Sequence, residues 1–293
     1  RKEAADSDAD FVADFARRLN LACYLEKKDV PAFQHSRRLS WEDAARQVRY
    51  EFYERIAALH GFNKIALGHH GNDNAELVLM NLLRGSGPLG LSGIAPVRDG
   101  RIVRPLIRLN REEIIAYTAE KKLMYVTDAS NADLSYRRNR IRHQLIPELE
   151  RSYNPRVVDT LNRLSDILRD EEQWIEDSLV PAFDRCVSAK GSETITLDLA
   201  RFGKLVGAVR RRIIRKAIFT VKKELRRISL PHIDAVLSLA KNGPVDGRLN
   251  LPDRICVQRD NATLTITNVR KERFKRDERA EGPKPAAYQY SIS

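Results

Sequence analysis

The feature that most constrains this chain is a short apolar segment that runs directly into an apolar helix. Lys64-Ile-Ala-Leu-Gly68 is typical of a buried strand, and residues 72–84 have the length and composition of a buried helix. Asn72 is a suitable N-cap for that helix, and Gly85 is the residue expected just past its end. A strand and helix of this kind predict a parallel α/β sheet, in which ligands bind at the carboxyl ends of the strands.

The remainder of the first half continues the alternation of strands and helices. We predict helices over residues 8–19, 40–60 and 110–121, and strands over residues 21–25 and 101–104. Ser40 and Asn110 are the expected N-caps of the second and third of these helices.

From about residue 135 the pattern changes to one that is mainly helical. We predict helical segments over residues 136–146, 155–180 and 205–225, a helix opened by Pro231, and a β-hairpin of residues 254–258 and 263–267. The predicted organisation is a domain over residues 1–135, connecting helices over 136–180, a helical domain over 181–270, and a linker over 271–293.

Charge and cysteine content narrow the class of protein. The 293 residues carry a formal net charge of +12, which suits a polyanionic partner but also a generally basic protein. The three cysteines are far apart and form no CxxC pair, which argues against a zinc ribbon and fits a reducing compartment. We find neither a long apolar run nor a secretory signal, so we expect a cytoplasmic protein.

Three titratable side chains mark the start of the helix over residues 72–84. His70, Asp73 and Glu76 are spaced three apart, so the two carboxylates can project from one helical face beside a strand end. Such a pair could hold an ammonium group, a metal ion, or both. The same residues also suit a purely structural role, because acidic groups in a first turn stabilise the helix dipole by roughly 0.3–1 kcal/mol each.

Five motifs in order resemble those of the tRNA(Ile)-lysidine synthetases, a group of PP-loop ATP pyrophosphatases. They are Ser40-x-Glu-x-Ala-Ala-Arg-x-x-Arg-Tyr, His70-x-x-Asp-x-x-Glu, Arg84-Gly-Ser-Gly-Pro-x-Gly-Leu, Arg104-Pro-Leu and Tyr136-Arg-Arg-Asn-Arg-Ile-Arg-His143. The resemblance is close over about residues 1–150 and is one of architecture beyond them.

The resemblance implies an α/β fold with a parallel-sheet PP-loop (adenine nucleotide alpha hydrolase-like) domain, followed by a mainly helical domain with a small β element. It implies a ligase that uses ATP and Mg²⁺ to adenylate the C2 oxygen of the wobble cytidine in isoleucine tRNA with a CAU anticodon. Free L-lysine then attacks C2 through its ε-amine, which releases AMP and leaves lysidine. No membrane partner is expected, and the oligomeric state, a homodimer included, stays open.

The resemblance also implies roles for individual residues. Asp73 and Glu76 match the carboxylates that bind lysine, and His70 matches the histidine ahead of them. Residues assigned to ATP or its phosphates are Arg49, Arg84, Gly85, Ser86 and Gly87. Arg140 and Arg142 flank Ile141 and are assigned to substrate or RNA, although the sequence does not say which of them reaches the active centre. Arg49 and this basic segment also fit solvated helix faces.

Two departures from the family pattern stand out. Asn72 replaces the first of two aspartates, so the sequence leaves metal binding at that position in doubt. The Ser-Gly-Gly-x-Asp-Ser phosphate loop is not among the 293 residues. We therefore expect the PP-loop domain to be N-terminally incomplete, with that loop upstream of Arg1, and we expect these residues alone not to catalyse adenylation.

A second basic element lies in the predicted helix over residues 205–225. Arg210, Arg211, Arg212, Arg215 and Lys216 alternate with an apolar stripe, so one face can pack while the other contacts tRNA phosphates. A solvated helix is the alternative. Two rival functions stay open for the whole chain: another PP-loop tRNA-modifying enzyme of the thiolase type, and a non-catalytic RNA-binding protein on the same scaffold.

Overall fold

The structure is a computed structural model that describes residues 2–127 and 129–269. The chain divides into two compact units between Gln173 and Trp174. The domain borders predicted at residues 135, 180 and 270 stay predictions, and the linker predicted over residues 271–293 lies outside the described residues. None of the described helices combines the length and the apolar character that a bilayer crossing requires.

The first unit combines helices with a small three-stranded sheet. Its helices are α1 (Lys2–Arg18), α2 (Val30–Arg37), α3 (Trp41–Leu59), α4 (Gly71–Leu83), α5 (Pro88–Leu91), α6 (Arg111–Glu120), α7 (Arg137–Arg140), α8 (Ile146–Ser152) and the start of α9 (Val157–Cys186). Its strands are β1 (Ile65–Ala66), β2 (Val97–Arg98) and β3 (Ile102–Val103), in the order β1-β3-β2. The β1–β3 pair is parallel and the β2–β3 pair antiparallel, so a fully parallel sheet is not what the described strands form.

Most predicted helices of the first half are present, with their predicted caps. Ser40 caps α3 and Asn110 caps α6, each through a side-chain oxygen that accepts a backbone N–H of the first turn. The helix that contains Asp73 begins one residue earlier than predicted, and its N-cap is His70 rather than Asn72. The reason is that Asp73 Oδ2 accepts the backbone N–H of His70 at 3.0 Å, which closes the first turn there.

Two further predictions for the first unit are wrong. The strand predicted over residues 21–25 is irregular backbone, and all five of its residues are exposed. Among the described residues it has no neighbouring strand, and an extended segment is stable as a strand only when its backbone groups are paired. The apolar residues of helix α4 were predicted to be buried, yet Leu82 and Leu83 at its end are 53% and 65% exposed. Its polar first turn is the buried end.

The segment after residue 136 departs from a regular helix. Between α7 and α8, Ile141–Leu145 forms a π-helical turn in which the Ile146 N–H donates to the Ile141 carbonyl, five residues back. Pro147 follows at once and has no N–H to donate to the carbonyl of His143, so the regular α-helical pattern cannot continue through it. Ile141 and Ile146 are both buried in the cluster that packs α4 against this segment.

The second unit is a five-stranded antiparallel sheet packed against helices. After α9 come β4 (Val187–Lys190), β5 (Thr194–Asp198), α10 (Leu199–Gly203), α11 (Gly207–Lys222), α12 (Leu230–Asn242), β6 (Arg248–Leu251), β7 (Ile255–Arg259) and β8 (Thr263–Asn268). The strand order is β4-β5-β8-β7-β6. The predicted hairpin is β7–β8, whereas β4, β5 and β6 were not predicted from the sequence. Alternation in Thr194-Ile-Thr-Leu-Asp198, with Ile195 and Leu197 fully buried, was the available signal for β5.

A buried lysine forms an ion pair with Asp253 in the turn between β6 and β7. The Lys222 side chain at the end of α11 is 4% exposed, and its Nζ lies 3.1 Å from Asp253 Oδ2. Arg227 Nη1 lies 2.7 Å from the other oxygen of Asp253. Burial raises the pKa of Asp253, but the hydrogen bonds and charges of Lys222 and Arg227 outweigh it and the net shift is downward. The ionised carboxylate therefore stabilises the fold above its ordinary pKa of about 3.9, and this contribution is lost as the pH falls through the lowered value.

We predict that Asp253→Asn lowers the free energy of unfolding by about 1–3 kcal/mol at pH 7, because Lys222 and Arg227 each lose a negatively charged partner. The loss should shrink at pH 3, where the wild-type carboxylate is protonated during unfolding. Asparagine tolerates the positive φ of 61° at this position. Thermal unfolding at both pH values measures the effect. Asp246→Asn, at an exposed residue with φ of 62°, is the control; an equal loss in both variants would contradict the assignment.

Candidate active site

The first two turns of α4 contain two buried carboxylates beside two arginines. The Asp73 side chain is 11% exposed and that of Glu76 is 1% exposed. Arg138 and Arg142 each contact both of them from the segment of α7 and the π-helical turn. We call these four residues the ion cage.

The hydrogen bonds of the ion cage occupy every carboxylate oxygen. Arg138 donates from Nε to Glu76 Oε2 at 2.6 Å and from Nη2 to Asp73 Oδ1 at 2.5 Å. Arg142 donates from Nε to Glu76 Oε1 at 2.5 Å, and from Nη2 to Glu76 Oε2 and Asp73 Oδ1, both at 3.2 Å. Asp73 Oδ2 accepts the His70 backbone N–H at 3.0 Å. The formal charges of the four side chains sum to zero, which compensates two carboxylates that would be costly to bury alone.

The geometry supports part of the prediction for this site. Asp73 and Glu76 do project from one helical face onto shared partners, and of the predicted pair Arg142 is the arginine that reaches them. Arg140 is exposed. Arg138 was not predicted from the sequence, although it lies four residues before Arg142, a spacing that places two side chains on the same helical face.

Two histidines, His69 and His70, adjoin the ion cage. Burial is the largest influence on His69 and His70 and lowers the pKa of both imidazoles, while the negative charge of Asp73 acts in the opposite direction. His70 Nε2 lies 3.5 Å from Asp73 Oδ2. The charges of Arg104, Arg138 and Arg46 further lower the pKa of His69.

A second group of arginines surrounds Tyr50 on α3. The guanidinium carbons of Arg46 and Arg98 lie 4.9 Å and 4.8 Å from the centre of the Tyr50 ring, within cation–π distance. Arg104, just past β3, is 6% exposed and donates to the carbonyl of Ala95 at 2.5 Å. Burial lowers the pKa of Arg104. The charges of Arg98 and Arg46 lower this pKa further, whereas the interaction with Tyr50 raises it. The predicted Arg49 is on the same helix and is exposed.

The other predicted phosphate residues are not near the ion cage. Arg84 and Gly85-Ser86-Gly87 follow the last turn of α4, whereas Asp73 is in its first turn. Eleven residues of helix separate Arg84 from Asp73, which corresponds to about 16 Å along the axis. The structure therefore places this loop at the opposite end of the helix.

Asn72 and Asn74 join the first turn of α4 to neighbouring segments by hydrogen bonds. Asn74 is 4% exposed, and its Nδ2 donates to Asn162 Oδ1 at 2.9 Å and to Ser165 Oγ at 2.8 Å, both on α9. Its Oδ1 accepts the Ile94 backbone N–H at 2.6 Å. Asn72 Oδ1 accepts the Arg111 N–H at 2.8 Å. Asn72 thus joins α4 to the start of α6, which is a structural use of the position where the family pattern has a carboxylate.

Gly93 is required for the close approach to Asn74. Its φ is 64°, and a Cβ at this position would lie 2.1 Å from Asn74 Oδ1. Only glycine meets both conditions without strain.

Metal binding by the ion cage does not fit its present hydrogen bonds. A Mg²⁺ ion needs free carboxylate oxygens, and all four are bonded to N–H donors. Within the described part of the chain, His, Cys, Asp and Glu form no group of three or more that could hold a metal ion.

The basic residues predicted on the second half lie on α11. Ile213, Ile214, Ala217, Ile218 and Val221 bury one face of the helix. Arg211 is exposed, and Arg210, Arg212, Arg215 and Lys216 are partly exposed. Lys216 Nζ lies 2.9 Å from Glu176 Oε2 and 5.9 Å from the centre of the Phe183 ring, so part of its charge is already compensated.

Comparison with known proteins places residues 1–149 in the PP-loop domain family. The chain belongs to this family. The ion cage and the arginines around Tyr50 are therefore features of a PP-loop domain, and α11 lies beyond the matched residues.

Curated relatives of this PP-loop protein extend the similarity into the second unit. A tRNA(Ile)-lysidine synthase of Geobacter sulfurreducens is 40% identical over 262 residues, which is 88% of this chain and 55% of that protein. One from Clostridium acetobutylicum is 33% identical over 284 residues, 97% of this chain and 60% of that protein. One from Caldanaerobacter subterraneus is 36% identical over 255 residues, 87% and 54% respectively. The chain thus spans 54–60% of the length of these three relatives.

We predict that Asn74→Ala lowers the free energy of unfolding by about 3 kcal/mol, because three hydrogen bonds are removed and their partners stay buried. Asn72→Ala, two residues away, removes one hydrogen bond at a less buried position and should cost about 1 kcal/mol. Urea unfolding of both variants measures the difference, and equal losses would show that Asn74 does not have the joining role assigned to it.

Proposed function

We propose that this chain is part of a tRNA(Ile)-lysidine synthase, which converts the wobble cytidine of CAU-anticodon isoleucine tRNA to lysidine. The observation that carries the proposal is the extent of the similarity: relatives with this name align with 87–97% of the chain, across both units. A PP-loop domain alone would leave the substrate open. Similarity that continues through the basic second unit favours the same tRNA substrate.

The proposed reaction has two steps. ATP adenylates the C2 oxygen of the cytidine and releases pyrophosphate, and the ε-amine of free lysine, after losing a proton, then attacks C2 and displaces AMP. Such chemistry depends on bringing an amine and an activated base together, and on providing negative charge for the ammonium before it loses its proton. Asp73 and Glu76 supply that negative charge from the first two turns of α4.

The two carboxylates are suited to different parts of the lysine step. Glu76 is almost fully buried, which suits it to fix the position of the amine. Asp73 is more exposed, and its Oδ2 is bonded to the backbone of His70 rather than to an arginine. We assign to Asp73 the acceptance of the proton that the ammonium must lose before attack.

The described residues offer binding groups for ATP but not for Mg²⁺. ATP is the adenylating substrate, and the arginines near Tyr50, together with Arg49, are the positive groups of the PP-loop domain available to its phosphates. Arg84 and the loop of residues 85–87 remain proposed for a substrate at the other end of α4. For Mg²⁺, the described residues provide no fitting ligand set, so no step is assigned to it.

The remaining assignments follow from the substrate. Helix α11, with Arg211 and Arg215 on its solvent side, is proposed to contact the tRNA backbone. An enzyme that modifies tRNA works where tRNA is present, so we propose a cytoplasmic location, and a homodimer stays a prediction. The thiolase alternative gains no support from the cysteines, which are free: Cys23 is exposed and Cys186 is buried.

We predict that Asp73→Asn in the complete protein reduces lysine incorporation at least about 100-fold, because the charge that binds and deprotonates the amine is removed. Its affinity for tRNA should stay within about twofold. Incorporation of labelled lysine into a tRNA(Ile) transcript and filter binding of the same transcript measure the two quantities. Asp170→Asn, at an exposed residue of α9, is the control; incorporation by Asp73→Asn at the control level would remove Asp73 from the reaction.

We predict that replacing Arg211 and Arg215 with Gln weakens tRNA binding and reduces its dependence on salt. The plot of log affinity against log salt concentration has a negative slope. The magnitude of this slope should decrease by about 0.7–0.9 for each phosphate that the variant no longer neutralises. Titrations of tRNA between low and moderate salt measure the slope. Lys241→Gln removes an exposed charge from α12 and is the control; a double variant that keeps the wild-type slope would mean that α11 does not contact the tRNA backbone.

A further inference from the structure

The ion cage raises a question of charge that the proposed function does not answer. Its two carboxylates are already matched by two guanidinium groups, with all four oxygens bonded. If a lysine ammonium joined the cage unchanged, the site would carry a net charge of +1 at nearly buried side chains. Bringing an unmatched charge into such surroundings is costly. One cation must therefore leave when another enters.

The two arginines differ in how firmly they are held. The Arg138 side chain is 44% exposed and donates two hydrogen bonds to the carboxylates. The Arg142 side chain is 19% exposed and donates three. The side chain of Arg138 is already the more exposed of the two, so moving it into water costs less than moving that of Arg142.

The local backbone also makes Arg138 easier to displace than Arg142. Arg138 is in α7, a helix of four residues whose N-cap, Tyr136, makes no side-chain capping bond. Arg142 is in the π-helical turn, directly after the buried Ile141 that packs against α4. A short helix end can open locally at lower cost than a segment fixed in an apolar cluster.

We propose that Arg138 is an exchangeable internal cation, which occupies the carboxylates of Asp73 and Glu76 until the primary ammonium of the substrate displaces it. The inference rests on the proposed function, because it takes these carboxylates as the amine site. Arg142 stays in place and keeps the pair partly compensated throughout. Arg138 is thus a specificity-determining residue: a ligand enters only if its cation binds the carboxylates well enough to replace a guanidinium, which a neutral side chain cannot do.

The exchange has a measurable cost in affinity. A site that is open for only a fraction of the time binds its ligand more weakly by that fraction. If the carboxylates are free of Arg138 for about one tenth of the time, Arg138→Ala should bind L-lysine about tenfold more tightly than the wild type. Arg138→Lys, which keeps a tethered cation, should bind it with nearly wild-type affinity. Arg137→Ala, at the exposed neighbouring position, is the matched control.

The experiment is calorimetric titration of L-lysine into the complete protein and into each variant. Added guanidinium ion at millimolar concentration is a second measurement, because it should compete with lysine in Arg138→Ala and return the apparent affinity toward the wild-type value. A residue with a merely structural role would not produce that competition. Thermal unfolding checks that each variant is folded, and Arg138→Gln replaces Arg138→Ala, with the same expectation, if the alanine variant is not.

The outcomes separate this inference from the proposed function. If the wild type binds lysine and Arg138→Ala binds it no more tightly, the exchange is wrong, while the lysine site stands. If Asp73→Asn and Glu76→Gln bind lysine as well as the wild type does, or if no form of the protein binds lysine, the carboxylates are not the amine site and both proposals fail. Tighter binding by Arg138→Ala that guanidinium reverses supports the exchange.

Discussion

The neutralisation of two buried carboxylates by two guanidinium groups is the interaction on which the candidate site depends. Asp73 and Glu76 are on one helix, and their partners Arg138 and Arg142 are more than 60 residues away in sequence. Formation of these ion pairs fixes the start of α4 against α7 and the π-helical turn. Without the arginines, the desolvation of two adjacent negative charges would oppose the packing of Ala75 and Leu79 in the apolar cluster next to them.

Polar contacts around the ion cage make its position definite. Asn74 joins α4 to α9 and to the backbone at Ile94, and Asn72 joins it to α6. These hydrogen bonds are directional, so they specify an arrangement that apolar packing alone would define less sharply. A site that binds a small cation needs this, because its carboxylates must stay close together despite their mutual repulsion.

Much of the fold could be predicted from the sequence, and the reasons for the misses are physical. Helices with strong local signals, such as α3 with its Ser40 cap and α12 with Pro231 in its first turn, lie where the pattern places them. The strand over residues 21–25 has suitable residues but no neighbour among the described ones, and local sequence does not contain that information. For the site, the spacing of Asp73 and Glu76 gave their common face. Their partnership with Arg138 depends on a long-range contact that no local pattern reveals.

The π-helical turn of residues 141–145 sets the rotational phase of the segment before it. Ile146 is buried against α4, so α8 is the fixed end. A π-helical turn contains about one residue more than an α-helical turn. If one residue were deleted from residues 141–145, everything before the deletion would rotate by about 100° about the axis relative to α8. Arg138 would then point away from α4. The extra residue of the π-helical turn therefore determines the direction in which the Arg138 side chain points. The number of residues in this turn matters to the site as much as the charged groups do.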